Sequence, residues 1–293
     1  MQNYPKISIV TPNYNQGKYL EDTILSVLNQ NYPNLEYIII DGGSRDNSVE
    51  IIRKYAQKLT FWCSEPDKGM YDALQKGFSR STGEIMAWIN SDDFYLPGAL
   101  FTLAEIFNTI PQLRWLQGAM LTADEKGRIV TAERIGVKTK YDFLIGDYRW
   151  IQQESVAWRR SLWNEAGAML QTRLQYAGDF ELWLRFFARD KLFVTDACIG
   201  CYRQRSSNQL SLNFMHEYQL EAEEELAGYR MTADEKVLLA RYKRLRKLVT
   251  AIDRFKLFRT DWITARFRNK HFGVAHRIVF DRMTQRFKEE YPS

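Results

Sequence analysis

Apolar residues in the first hundred positions recur in two alternating rhythms. Short β-rich runs at residues 7–10, 35–40, 59–63 and 85–89 are separated by stretches with apolar positions three to four apart, as on one face of a helix. Tyr19, Leu20, Ile24, Val27 and Leu28 trace the first such face. Val49, Ile52 and Tyr55 trace the second, capped by Asp46 or Asn47, and a third helix is predicted over about 70–78. The β-rich runs are continuously apolar, as strands of a parallel sheet covered on both faces by helices are. The pattern therefore predicts an α/β fold with a mostly parallel central sheet. Ligands of such sheets bind at the carboxyl ends of the strands. Here those ends carry Asp41, Glu65, Asp67, Asp92 and Asp93, so one sheet edge is predicted to be acidic.

The second half is mixed. Residues 116–122 and 128–132 read as a hairpin across the turn 124–127, and 154–158 as a further strand. Phe180, Leu182, Trp183, Phe186 and Phe187 give residues 179–188 an amphipathic helical stripe, and 192–199 reads as the last strand. Beyond about residue 206 the chain reads as helical and increasingly basic to its end. The predicted organisation is a body over 1–210 and a basic helical C-terminal extension over 211–293.

Composition changes this picture in one respect. Apolar residues make up 45% and charged residues 26%, so a sizeable core is expected. The net charge of +5 is the difference between unlike parts. Residues 236–293 hold 16 Lys/Arg against 5 Asp/Glu, whereas residues 1–235 are net acidic. A uniform basic coat for nucleic acid is thereby disfavoured, and no nucleic-acid partner is expected. No stretch approaches the ~20 apolar residues of a membrane span. The N-terminus runs into a strand-like segment without a signal-peptide core, so a cytoplasmic location is expected. Cys198 and Cys201 have CxxC spacing but no second pair, and read as a strand end rather than a zinc or redox site.

Candidate chemistry gathers at Asn90, Ser91, Asp92 and Asp93. Adjacent carboxylates at a strand end are costly to ionise without a cation, and hard oxygen ligands suit Mg²⁺ or Mn²⁺. The same four residues also read as an ordinary turn before Pro97. Gly42 and Gly43 after Asp41 read either as a connection or as a place where a ligand approaches the backbone. Neither a Walker GxxxxGK[ST] nor a Rossmann GxGxxG phosphate cradle is present in the sequence.

Four blocks, in order and each at a strand end, carry a resemblance. They are residues 8–15 with Thr11, Pro12 and Tyr14; residues 37–48 with Asp41, Gly43 and Ser44; Asp67, Lys68 and Gly69 with Ala73 and Gly77; and Trp88 through Asp93. Together they resemble the family 2 glycosyltransferases of GT-A fold over roughly residues 6–205. The resemblance implies inverting transfer of a sugar from a nucleotide sugar, typically a UDP-sugar, to an acceptor hydroxyl. It implies that Thr11, Pro12 and Tyr14 line the base and that Asp41 hydrogen-bonds it. Gly43 and Ser91 fall among the nucleotide-sugar contacts, and Lys68 is a diphosphate contact or a plain surface lysine. Asn90 takes the first position of the family's Asp-x-Asp motif and Asp92 the last, as ligand of a divalent metal (Mn²⁺ or Mg²⁺), with Asp93 as its supporting neighbour.

The family's Glu-Asp pair before a Leu-Trp-Leu-Arg helix matches Gly178 and Asp179, with glycine replacing the glutamate. Asp179 is then the catalytic base, or else a plain helix cap. Gln153 and Glu154 fall where acceptor contacts are expected. The Gln-x-x-Arg-Trp motif of processive members is not matched: Gln112 to Trp115 has the wrong spacing, and Asp147 to Trp150 lacks the glutamine. The implied enzyme is non-processive and acts on a glycan or lipid-linked acceptor in surface-polysaccharide synthesis. A nucleotidyltransferase and a non-catalytic sugar-nucleotide-binding protein are the alternatives.

Aromatics reach 14%, and Trp88 and Trp150 are candidate sugar-stacking rings, against a core role such as Trp183 has on its helix stripe. In the tail, Tyr242, Leu245, Leu248, Val249, Ile252 and Phe255 form a stripe flanked by Lys243, Arg244, Arg246, Lys247 and Arg254. That stripe fits packing on the body, and equally a peripheral contact of residues 236–293 with anionic lipid.

Overall fold

A computed structural model describes residues 4–135, 139–146, 151–205, 213–253, 261–272 and 276–290. The first hundred residues follow the predicted alternation: β1 (Ile7–Asn13), α1 (Gly17–Leu28), β2 (Leu35–Asp41), α2 (Ser48–Tyr55), β3 (Phe61–Ser64), α3 (Met70–Arg80) and β4 (Ile85–Trp88). There follow β5 (Phe94–Tyr95), α4 (Ala99–Thr109), β6 (Trp115–Gln117), β7 (Met120–Ala123), β8 (Ile129–Glu133), α5 (Lys140–Leu144), β9 (Val156–Arg159) and α6 (Arg160–Glu165). The remaining elements are α7 (Gly178–Phe187), β10 (Phe193–Thr195), β11 (Gly200–Arg203), α8 (Met215–Gly228), α9 (Ala233–Asp253), α10 (Asp261–His271), β12 (His276–Asp281) and β13 (Arg286–Glu290).

The main sheet runs β13-β12-β10-β6-β9-β4-β1-β2-β3. Strands β1 to β4 are mutually parallel where they pair, and β9 enters antiparallel between β4 and β6. Alternate residues face opposite layers, as the two-residue period of a strand requires. Val10, Ile38, Ile40 and Trp88 pack with α3 and α7, while Ile7, Ile9, Ile39 and Ala87 pack with α1 and α4. A smaller sheet, β5-β11-β7-β8, stands beside the main one.

The apolar run 116–122 is two strands in two sheets. A side chain at Gly118 would come within 2.6 Å of Ile199 and 2.8 Å of the Ala197 carbonyl, so the glycine lets the chain cross between sheets. The expectation of helix to the end is corrected after His271. There β12 and β13 form an antiparallel hairpin, and β12 pairs in parallel with β10. Arg277 of β12 is buried and contacts Asp196 and the Ile135 carbonyl, and Ile278 is fully buried. The segment reads as polar, yet its isoleucine completes a core.

Helix α9 turns Leu239, Tyr242 and Val249 inward, with Tyr242 against Phe267 and Phe272 of the α10 region. Leu248 and Ile252, counted in the same stripe by sequence, are 64% and 45% exposed. Phe255 and Arg254 lie outside the described residues.

Candidate active site

Two loops leave the sheet side by side at the carboxyl ends of β1 and β2, and Asp41 ties them together. Its Oδ1 accepts hydrogen bonds from Asn13 Nδ2 (2.6 Å) and Ser44 Oγ (2.5 Å), and its Oδ2 from the Ser44 N–H (2.9 Å) and Ser64 Oγ (2.6 Å). Burial works against ionisation of this carboxyl, but these donors outweigh it and hold Asp41 below the usual range. Asp41 is fully buried and sits beneath the cavity rather than in its wall. Because its acceptors are taken from within the protein, it organises the loops.

Asn13, not singled out by sequence, occupies the wall that Asp41 leaves. Asp41 fixes the amide orientation by taking Nδ2, so Asn13 Oδ1 is a buried acceptor without a hydrogen-bond partner. An orphaned acceptor of this kind awaits a donor. The third loop, after β3, closes on the second: a Cβ on Gly42 would lie 2.6 Å from the Asp67 carboxylate. Gly43 itself adopts φ 79°, a left-handed conformation that glycine favours.

The loops enclose a cavity of about 740 Å³. Of the residues expected at the site, Pro12, Tyr14, Gly43, Lys68, Asn90, Ser91 and Asp92 line it. Thr11 does not: it is buried and hydrogen-bonded to Tyr37 Oη at 3.1 Å. Nor does Asp93, whose Oδ1 accepts the Arg203 N–H (2.8 Å) in the interior. Burial, with the charges of Asp92 and Glu154 beside it, pushes the Asp93 carboxyl well above the usual carboxylate range. It anchors β11 behind the loop and offers the cavity no ligand.

Asp92 faces a cation already in place. Arg205, two residues past β11, sets Nη2 3.0 Å from Asp92 Oδ2 and donates from Nη1 to Gln16 Oε1 at 2.8 Å. Arg205 also lines the cavity, and no periodic signal marked it in the sequence. Burial raises the Asp92 carboxyl even against the pull of this guanidinium. Asn90 Oδ1 is buried and unpartnered. Asp92 and Asn90 Oδ1 are hard oxygens of the kind Mg²⁺ or Mn²⁺ takes, but Asp92 is already paired with Arg205. Among the described residues no three His, Cys, Asp or Glu side chains are grouped to hold a metal.

Asp179, on the first turn of α7, does not line the cavity either, although Gln175 and Tyr176 just before it form part of the wall. Its Oδ1 accepts the Phe180 N–H at 2.8 Å and faces Tyr71 Oη at 3.4 Å. Burial raises this carboxyl to about 6, against those two donors. The glycine before it has a steric cause. A Cβ on Gly178 would stand 2.8 Å from the Tyr71 ring, which fills the space a glutamate side chain there would need. Glu181 points elsewhere, paired with Arg185 at 2.7 Å.

Gln153 and Glu154 are buried and do not line the cavity; Gln153 Nε2 donates to the Trp88 carbonyl at 2.7 Å. Burial pushes Glu154 up to about 8. Trp88 is a core ring, stacked on Trp183 at 5.7 Å and 4°, in keeping with the core role rather than a sugar platform. Trp150 lies outside the described residues. Cys201 is buried in β11 and Cys198 is exposed, and burial pushes the Cys201 thiol up to about 12.

Comparison with known proteins bears on the family and the fold. A glycosyltransferase of Nostoc sp. is 35% identical over 113 residues, covering 36% of this chain and 33% of the relative. One of Haemophilus influenzae is 40% identical over 95 residues, covering 31% of this chain and 38% of its own length. These matches thus span about a third of the relatives' length. A glycosyltransferase of Rickettsia prowazekii is 25% identical over 224 residues, covering 73% and 70%. Among solved structures, Staphylococcus aureus TarS 1-349 in complex with UDP-GlcNAc superposes with a TM-score of 0.64 at 18% identity, covering 80% of this chain and 70% of that one. At that identity the likeness establishes the GT-A fold alone. The model of glycosyl transferase family 2 matches residues 8–193, and the chain belongs to that family.

Proposed function

We propose that the protein transfers a sugar, with inversion, from a UDP-sugar to a hydroxyl of a glycan or lipid-linked acceptor in surface-polysaccharide synthesis. The observation that carries this reading is one cavity, bounded by Asn13, Asp92 and Arg205, with a half-buried carboxyl of raised pKa beside it. Asn13 Oδ1 accepts a base N–H such as uracil offers, and Pro12 and Tyr14 flank the ring. Arg45, Lys68 and Arg205, the last already paired with Asp92, are the cations of the cavity wall that would face the diphosphate. Asp92 and Asn90 Oδ1 would hold a divalent ion, which when bound supplies positive charge to the diphosphate. The UDP-GlcNAc and UDP bound in TarS structures support a UDP-sugar as donor class.

The acceptor hydroxyl attacks the anomeric carbon opposite the diphosphate. A carbon–oxygen bond to the acceptor forms as the bond to the diphosphate oxygen breaks, and Asp179 takes the hydroxyl proton. The bond electrons leave with the UDP.

Leu248 and Ile252 of α9 and Trp262 of α10 are exposed, in a strongly basic segment. No helix among the described residues is long and apolar enough to cross a membrane. An exposed apolar and basic face of this kind suits peripheral contact with anionic lipid at the cytoplasmic face of a membrane.

A thermal-shift screen of nucleotide sugars with Mn²⁺ tests the donor class, since a ligand of the folded state raises the melting temperature. A UDP-sugar should give the largest shift, and the anomeric configuration of its transfer product, read by NMR, should be inverted. No shift with any UDP-sugar, or a retained configuration, would refute the reading.

A further inference from the structure

Glu221 belongs to α8, outside the family-matched stretch, and reaches back to the start of α7. Its carboxylate accepts three consecutive backbone N–H groups: Gln175 at 2.9 Å to Oε1, and Tyr176 at 2.9 Å and Ala177 at 2.8 Å to Oε2. Ala177 is the residue before α7, and it has no side chain to cap the helix. Donors at a helix start need partners, and a carboxylate there also meets the positive end of the helix dipole. Charge-assisted hydrogen bonds of this kind are about twice as strong as neutral ones.

Two further contacts join α8 and its approach to the same segment. Arg173 pairs with Glu225 at 2.5 Å, and Tyr176 stacks on Phe214 with centroids 5.1 Å apart. Gln175 and Tyr176 line the cavity. The Tyr176 carbonyl accepts Tyr71 Oη at 2.8 Å, and that hydroxyl faces Asp179. Segment 175–177 thus links Glu221 to the wall of the cavity and to the base.

We infer that Glu221 is a positioning residue for Asp179, holding the entry to α7 so that the base keeps its place beside the donor. The inference rests on Asp179 being the base. Glu221 also acts through its charge, which adds to burial in favouring the protonated Asp179 carboxyl. The groups facing Asp179 are Tyr71 Oη from α3, Glu154 ahead of β9, Glu221 from α8 and, on its own helix, the Phe180 N–H.

The test uses the full chain, with UDP release from the sugar nucleotide giving the largest thermal shift. Glu221→Gln turns one acceptor oxygen into an NH2 group facing a backbone N–H, so it should melt below the wild type yet bind UDP equally. Its kcat should fall roughly ten-fold with donor KM nearly unchanged. With one negative charge removed, the acid limb of its pH profile should move to lower pH. Glu221→Ala should lose more turnover; if it fails to fold, Glu221→Gln carries the test. A folded Glu221→Gln with unchanged kcat and acid limb overturns the inference. So does a parallel loss of melting temperature, UDP affinity and kcat with an unmoved limb, the mark of a merely structural contact. Near-native UDP release by Asp179→Asn would instead overturn the base assignment itself.

Discussion

With Asp179 as the proposed base, its ionisation sets the pH range in which the site can work. Burial raises its carboxyl to about 6, while the Phe180 N–H and Tyr71 Oη favour the charged form and limit the rise. A base must be ionised to take a proton, so turnover is complete above this pKa and is lost as pH falls through it. kcat/KM should therefore decline with unit slope below about pH 6, and a profile flat down to about pH 5 would contradict the assignment. Tyr71→Phe removes a donor to the charged form and should move the limb to higher pH. Asp92 was legible as a carboxylate at a strand end, and Asp179 only through the family resemblance, since alone it reads as a plain helix cap. Asn13, Arg205 and Glu221 were not, because each acquires its role from a partner distant in the chain. Asp41 and Asp93 were legible as acidic, but not as buried organisers: only tertiary contacts reveal that their acceptors are already taken.

At the scale of elements, α7 and α3 are fitted to each other by one glycine. The Tyr71 ring lies where a Gly178 side chain would go, so Gly178→Ala should destabilise the fold by about 1–3 kcal/mol, as overpacking does. It should also reduce UDP release, because Tyr71 must move away from Asp179. Chemical denaturation and steady-state kinetics check both effects, and unchanged stability would show that the ring has room to shift. The order of strands and helices through β4 was legible from periodicity, since each buried strand is a continuous apolar run. Two element-level features were hidden. The break at Gly118 depends on the approach of Ile199 and Ala197, which no local rhythm encodes. The final hairpin holds one short apolar run, Ile278 to Phe280, among charged residues of a basic segment, so its strand character became visible only against β10.

Over the whole molecule, the charge division has a spatial meaning. The expected acidic edge is not acidic at the cavity, where Asp67 and Asp92 stand beside Arg45, Lys68 and Arg205. The basic tail packs one face of α9 on the body and leaves another exposed. The tail also contributes structure: Ile278 of β12 is fully buried, and Ile278→Ala should cost about 3 kcal/mol by urea denaturation. A cost near zero would mean that the hairpin is not part of the cooperative core. The central claim is that a single carboxylate, Asp179, serves as base for transfer from a UDP-sugar. The most direct measurement compares UDP release by the wild type and by Asp179→Asn, each with UDP binding measured in parallel. The account predicts that the variant binds UDP as the wild type does and loses turnover by at least about a hundred-fold. Near-native turnover in a variant that still binds UDP would contradict it.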